Sequence, residues 1–585
     1  MASEQSAASI LVVDCGTVLT KAVLLDRVSG AYRFVARGQA LTTVFSPWFD
    51  VIIGVQRAIE QIEDITGRNL LDEQKNLVLP QRESGTGVDS FIAVGSVARP
   101  IRVVLGGLVP ELSLSSLIQA VAGTYSAVQG EIVQDPNRRL SVEDQVQIIQ
   151  ASRPDIVCIA GGTDGGAVIP ILELVETATL ACSMIEEGSR PRMLFAGNAV
   201  MRKRVAEIVG GQVELHAVDN VRPSLHVENL EGVRAELETL YRQHHLGNLP
   251  GVGYLTEWSG VPLVSSAESF SRLIQYLWYL DESPKGTLGI DLGAVNTTIA
   301  AVFEGRLSLS IHGELGSVYG GRRIMDQWGA ETVLRWMPTD ISEEQALGHL
   351  ISKEIRPGSV PEEMEELWLE QAVAREAIRE ALRTARSGWR ASQAQPYSDF
   401  TPLFDPILVS GSVLAGAPRP GQVAMIVLDA VEPIGVSTLL VDTNGLAPIL
   451  GAVAAAKPMA AVEVLDSGGI VNLATVIAPV GIARKGEVVL GVRVHYEQGG
   501  VLDVEVSYGS LEVLPLPTGQ EAVLELHPRR GFDVGLGGRG RGGKRRVCGG
   551  LLGIIVDARG RPLELPQDSE ERQAQIQQWL WDVGG

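Results

Sequence analysis

Cysteine is scarce in this chain. Cys15, Cys158, Cys182 and Cys548 are spread over 585 residues, which excludes a disulfide framework and any C-x-x-C metal clasp. The eight histidines show no H-E-x-x-H or related ligand spacing, so packing and surface roles suit them. Cationic residues are in deficit, with 49 Lys and Arg against 70 Asp and Glu for a formal charge of −21. That field repels phosphate backbones and anionic lipid, so neither nucleic acid nor a membrane surface is expected as the main partner. An anionic ligand would need a local device to hold it. Long apolar runs are also missing. The run Ile10–Val13 is too short for a signal-peptide core, and Gly445–Leu465 is broken by Pro448, Lys457, Pro458 and Glu463. A cytoplasmic protein is expected. No G-x-S-x-G elbow or catalytic Cys–His spacing supports a hydrolase.

What the chain has in quantity is apolar residues, 45% of the total against 20% charged, enough for a large core divided among three or more domains. It also has an internal repeat. Residues 10–26 read ILVVDCGTVLTKAVLLD and residues 287–303 read TLGIDLGAVNTTIAAVF. Aligning Asp14 with Asp291 also aligns Gly16 with Gly293, Val18 with Val295 and Thr20 with Thr297. The common pattern, D-x-G-x-x-x-T between two β-branched runs, predicts a hairpin in each copy. The glycine lets successive N–H groups point into one concavity, which binds phosphate oxygens without net positive charge. The aspartate at the end of the first strand can hold a hydrated Mg²⁺. Two such hairpins face to face would clamp a triphosphate.

Between the copies, strands and helices alternate through Gly-rich junctions, which argues α/β architecture. Strands are expected at 31–40, 91–94, 101–105 and 155–160, and helices at 47–66, 113–129, 229–245 and 264–280. The strand 155–160 runs into GGTDGG and then a helix, an arrangement that presents N–H groups to an anion. Gly161 and Gly162 are therefore candidate phosphate contacts. Asp164 either positions a water or metal there or caps the following helix. The second half holds a long helix over 361–389, acidic at its start and basic at its end, read as a solvated element. A strand at 406–409 meets the loop SGSVLAG, a further strand is expected at 423–428, and a helix at 445–456. Period-two alternation beyond Pro458 predicts a β domain over about 465–568, closed by a helix at 569–583. Its GLGGRGRGGKRR segment (535–546) reads as an exposed loop, because glycine density alone produces its P-loop-like matches.

The segments 14–21, 160–166, 195–198, 219–223, 291–298 and 442–454 together resemble the MutL/GlmL family, the glutamate mutase-associated proteins distinct from mismatch-repair MutL. The likeness covers about residues 8–458. It implies the two-lobed α/β fold of the actin/Hsp70/sugar-kinase class, ATP and Mg²⁺ as ligands, and ATP-dependent reactivation of an adenosylcobalamin-dependent aminomutase. Lobe I would span 1–283 with an inserted subdomain, lobe II 284–460, and the β-rich domain 461–585. By position the resemblance implies Asp14 and Asp291 on the metal side. Gly16, Thr17 and Thr20 would form the first phosphate loop, and Gly293 and Thr297 the second. Gly411 and Ser412 would stand at the nucleoside, and Asp164 would orient an attacking water. The chain departs from the family pattern at Ala294, at Thr298, and in S-G-S-V where G-T-G-G is usual. Those changes remove a carboxylate and two glycines. They raise the alternative of a non-catalytic actin-like scaffold that assembles with copies of itself.

Overall fold

The structure, a computed structural model, describes residues 9–134, 140–280, 284–386, 388–389, 397 and 400–585. Two compact units divide the chain, residues 1–96 with 254–585 and residues 97–253. The first unit opens with the antiparallel run β1 (Ser9–Cys15), β2 (Leu19–Val28) and β3 (Ala31–Leu41), then α1 (Val51–Thr66) and β4 (Ser90–Gly95). The alternation of buried Ile10, Val12 and Val13 on one strand with Val23, Leu24 and Leu25 on the next seals the hairpin from both faces. α1 starts later than the pattern suggests because the Asp50 carboxylate caps the Ile52 N–H at 3.0 Å.

The chain then builds its second unit. Strands β5 (Ile101–Gly107), β6 (Ser126–Val133), β7 (Ile156–Ala160), β8 (Arg192–Phe195) and β9 (Leu215–Ala217) are all parallel, in the order β6-β5-β7-β8-β9. Helices α2 (Ser115–Ala122), α3 (Val142–Ser152), α4 (Ile169–Ser183) and α5 (Arg202–Val209) make the four crossovers of a doubly wound arrangement, α6 (Glu231–Leu240) follows the last strand and packs on α2, and α7 (Val252–Ser259) leads out. The helix expected over 113–129 stops at Ala122, and its second half is β6. Gly123 ends it, and the β-branched Val128, Ile132 and Val133 pair with β5 instead.

Back in the first unit come β10 (Val264–Ser265), α8 (Ser266–Leu280) and a second antiparallel run, β11 (Gly286–Leu292), β12 (Asn296–Phe303) and β13 (Arg306–Gly313). After α9 (Gly320–Trp328), α10 (Glu331–Leu334), α11 (Glu343–Ile355) and α12 (Met364–Arg386) the chain forms β14 (Phe404–Ser410) and α13 (Ser412–Ala415). α14 (Pro420–Val431), β15 (Gly435–Val441), α15 (Ala447–Ala456) and α16 (Pro458–Val464) follow. Two expectations change here. The apolar run 423–428 is the middle of α14, since Pro420 opens a helix and a short apolar run does not distinguish a buried helix from a strand. α12 is buried along Leu369–Leu382 rather than solvated, with only its charged edges outside.

The repeat seen in the sequence is a repeat of whole half-sheets. The first sheet runs β3-β2-β1-β4-β10, and the second begins β13-β12-β11-β14-β15, the same order with the same strand directions. This is the α/β fold of the actin/Hsp70/sugar-kinase class. α8 and α15 lie between the sheets, where Phe270, Ile274, Ile449, Leu450 and Val453 share one core with Ile10, Val12, Ala300 and Val302. They approach so closely that a Cβ on Gly451 would fall 1.7 Å from the Ser269 carbonyl oxygen.

The C-terminal residues do not form a β domain alone. β16 (Val471–Ala478), β19 (Leu511–Leu514) and β22 (Ile554–Asp557) extend the second sheet to eight strands, in the order β15-β16-β22-β19 at its far side. β17 (Val488–Tyr496), β18 (Val501–Ser507), β20 (Glu521–Pro528) and β21 (Gly543–Cys548) make a separate four-stranded sheet, followed by α17 (Ser569–Asp582). The glycine-rich segment thus ends in a strand, and Arg545 pairs with Asp405 at 3.1 Å. A buried ion network fastens this region down. Arg559 holds Asp557 and Asp429 at 2.9 Å each and stacks on Trp579, while Arg375 of α12 takes the other oxygen of Asp429 at 2.9 Å. Arg561 completes Asp557 at 2.8 Å, and these cations hold the Asp557 carboxyl well below its ordinary range. Replacing Arg559 by Met should therefore cost roughly 3–5 kcal/mol, because two buried carboxylates lose a shared cation. Urea unfolding of the intact chain measures this, and an unchanged midpoint would refute the role given to the network.

Candidate functional site

The two D-x-G turns define the site, and both lie in the first unit. Each occupies the same place in its half-sheet. Asp14 ends β1 opposite Lys21 and beside Val94, and Asp291 ends β11 opposite Thr298 and beside Ser410. Gly16 N–H donates to the Leu19 carbonyl at 3.1 Å, and Gly293 N–H donates to the Asn296 carbonyl at 2.9 Å. Both turns are therefore tight. Among the described residues, the amides of Thr17 and Val18, and of Ala294 and Val295, donate to no protein group. Free amide pairs of this kind make the concavity that receives an anion.

The acids at the two turns act on one another electrostatically. Burial pushes the Asp14 carboxyl up, Lys21 and a 2.9 Å hydrogen bond from Ser266 draw it back, and the charge of Asp442 pushes it further. Burial likewise raises Asp291, to about 6; Lys21 opposes this, Asp14 and Asp442 add to it, and the Ser410 hydroxyl lowers it. Lys21 thus acts on both turns, and Asp14 and Asp291 repel each other across the space between them. The lysine is held in place by the third loop. Gly445 has φ of +68° and carries no side chain where a Cβ would stand 2.8 Å from Lys21 Nζ. Arg37 anchors the same loop through the Asn444 carbonyl at 3.0 Å.

Asp442 serves two purposes. Its oxygens accept from the Leu446 and Ala447 amides at 2.8 Å each, capping α15, and from Ser410 Oγ at 3.0 Å. Gly411, with φ of +127°, sits where a Cβ would be 2.2 Å from the Leu292 carbonyl oxygen, so the loop after β14 lies directly on the end of β11. Ser412 begins the short α13 and is exposed. Asp14, Asp291, Asp442 and Lys21 sum to two excess negative charges. A hydrated divalent cation that touches one or two carboxylates and keeps its waters fits such a set. Among the described residues no group of three or more His, Cys, Asp or Glu is placed to hold a metal ion, so a cation here would rest on one or two carboxylates and its own waters.

The remaining candidates are placed differently. Thr17 stands at the first turn with its amide free. Thr20 and Thr297 are fully buried, and their hydroxyls bind Thr42 Oγ1 at 3.0 Å and the Leu315 carbonyl at 2.6 Å. The threonine common to both copies ties each hairpin to the loop that follows the third strand. Gly161, Gly162 and Asp164 belong to the second unit. There the Asp164 carboxylate accepts from the Ala199 amide and the Asn220 amide group at 2.9 Å each, which hold its pKa down. It does not cap α4, whose first turn has no side-chain cap. Gly162 passes its carbonyl to Asn220 at 2.9 Å, and Gly161 leaves room for Leu108. Lys21, Ser266, Ser410 and Asp442 were not singled out from the sequence. A hairpin centred between Thr17 and Val18 pairs Asp14 with Lys21, so the register alone carries the signal for the lysine.

The family model described as MutL protein matches residues 10–468. The chain belongs to this family. It is the glutamate mutase-associated MutL, not the mismatch-repair protein of the same name. Protein MutL of Clostridium tetanomorphum is 21% identical over 387 residues, 63% of this chain and 76% of that protein. Among solved structures, nucleotide-free acetone carboxylase is 12% identical, covering 86% of this chain and 81% of that one at a TM-score of 0.33. Nucleotide-free diol dehydratase-reactivating factor is 10% identical, covering 79% of this chain and all (100%) of that one at 0.29. No helix among the described residues is long and apolar enough to cross a membrane.

The raised pKa of Asp291 gives a pH signature. Its folded value of about 6 exceeds the ordinary 3.8, so the folded chain holds this proton more tightly than the unfolded chain does. That stabilisation is complete below pH ~4 and disappears as pH rises through ~6. Asp291→Asn is accordingly expected to melt above the parent at pH 8 and together with it at pH 3.5. Equal melting temperatures at pH 8 would mean that Asp291 is not destabilised by its neighbours.

Proposed function

We propose that this protein binds ATP with Mg²⁺ between its two hairpin turns and acts as a reactivating chaperone for an adenosylcobalamin-dependent aminomutase. One observation carries the nucleotide part. Two copies of the same turn, each with a pair of free amides, bring their aspartates into mutual repulsion around a single lysine. In this reading the amides at Thr17, Val18, Ala294 and Val295 take phosphate oxygens, and Lys21 adds a point charge to them. Asp14 and Asp291 hold water of the Mg²⁺ shell, and the cation supplies neutralisation of charge on the phosphates. The loop at Gly411 and Ser412 receives the nucleoside, since the missing side chain at 411 keeps that surface low. Membership of the glutamate mutase-associated family supports the mutase as client.

A second reading has its own support. Thr298 faces Asp291 with a hydroxyl and no carboxylate, so the second turn supplies one acid only. A site that binds nucleotide without turning it over, in a protein that assembles with its own copies, follows from that. Calorimetry with ATP and Mg²⁺, combined with a phosphate-release assay, separates the readings. Binding in the micromolar to low-millimolar range is expected, weakened on the order of tenfold in Lys21→Ala and lost in Asp14→Ala. Binding without release, or stable oligomers that form without nucleotide, would favour the scaffold; no binding at millimolar ATP would end the first reading, and strictly nucleotide-dependent assembly would count against the second. If hydrolysis occurs and Asp164→Ala leaves its rate unchanged, Asp164 is only a loop tie.

A further inference from the structure

A second cavity in the same unit, of about 460 Å³, opens between α12, the end of α14 and Pro562. Its volume falls in the range of small-molecule pockets. The wall is unusual for its guanidinium groups. Arg379, Arg383 and Arg386 line it from α12, at spacings that put them on neighbouring turns of one helix face, and Arg335 faces them from beyond α10. Three carboxylates line the same cavity, Glu376, Glu380 and Glu432.

Pairing these groups leaves one cation over. Arg335 binds Glu376 at 2.6 Å, Arg379 binds Glu432 at 2.9 Å and Glu376 at 3.6 Å, and Arg383 binds Glu380 at 2.6 Å. Arg386 meets no carboxylate within ion-pair distance among the described residues; its hydrogen bond goes to the Thr401 hydroxyl, which itself donates to the Val431 carbonyl at 2.7 Å. The Nε–H groups of Arg386 and Arg335 are both buried without a partner. Burial draws the Arg386 pKa down, with Arg379 acting in the same sense and Glu432 against it. Arg386, half-buried beside Arg379 and without a carboxylate in ion-pair reach, leaves the cavity lining with one uncompensated cation. Trp328, Leu382 and Phe400 also line the cavity and can cover a short carbon skeleton.

We infer that this cavity binds a small oxyanion-bearing metabolite, a carboxylic acid or phosphate ester, with its anionic head on Arg386 and its carbon body against the apolar lining residues. The planar fork of arginine matches both kinds of head group. This site is separate from the hairpin turns, and its occupancy does not depend on ATP binding there. Succinate and inorganic phosphate are the probes, each titrated into the full chain at constant ionic strength with sodium chloride as control, and followed by melting temperature and calorimetry. Either probe should raise the melting temperature beyond the chloride control, and which one does so identifies the head group. Arg386→Gln should weaken the effect on the order of tenfold, whereas Lys21→Ala should leave it intact. Should Arg386→Gln fail to fold, Arg386→Lys, which keeps the charge and loses the fork, is expected to weaken binding about threefold. No shift with either anion, a shift undiminished in the Arg386 variants, or one lost in Lys21→Ala would overturn the inference.

Discussion

The closeness of two helix backbones governs this molecule. α8 and α15 cross between the two half-sheets at a point where Gly451 meets the carbonyl of Ser269 and no side chain intervenes. Each helix is rigidly joined to its own half of the site. Ser266, in the first turn of α8, bonds Asp14, and Asp442, immediately before α15, caps that helix and binds Ser410 beside Asp291. The distance between the helices therefore sets the distance between the two turns. A larger residue at 451 would act on the site without touching it, since interiors packed at crystal density transmit displacement rather than absorb it.

Electrostatics at the turns solves a problem set by composition. A chain with net charge −21 offers a polyanion little attraction, and the site adds three acids of its own. Their mutual repulsion and burial raise the pKa of both turn aspartates, and Lys21 offsets only part of this. Such a cluster favours a cation that carries its own hydration, while the free amides favour the anion bound to that cation. The reverse holds at the Arg559 network, where buried arginines bond both buried acids directly.

The duplication was legible because period-two patterning and a glycine turn specify a hairpin locally, and two copies specify a shared architecture. The register that pairs Asp14 with Lys21 was also present in the letters, but a lysine in a strand carries no mark of its neighbours. Asp442 was hidden for a different reason: DTNG reads as a turn, and its contact with Ser410 joins residues 32 apart. The run 423–428 misled because burial on all sides erases periodicity, leaving Pro420 as the clue to a helix. α12 misled in the opposite way. Its charges are real, but Ala372, Ala374, Ala377 and Ala381 let it sink into the core, where Arg375 is buried, while Arg379, Arg383 and Arg386 reach the edge. The cavity those arginines line depends on α14 and Pro562, so no local pattern announces it.

The eight-stranded sheet has a consequence for biosynthesis. β16 pairs on one side with β15 and on the other, in parallel, with β22, and more than seventy residues containing another sheet separate β16 from that partner. While the nascent chain is still emerging from the ribosome, Leu473, Ala474, Val476 and Ile477 form an apolar edge with open amides and carbonyls, the kind of edge that recruits foreign strands. The four-stranded sheet, whose strands all precede β22, can form in that interval. Residues 554–557 arrive only after that, so one edge of β16 stays open until β22 has been made.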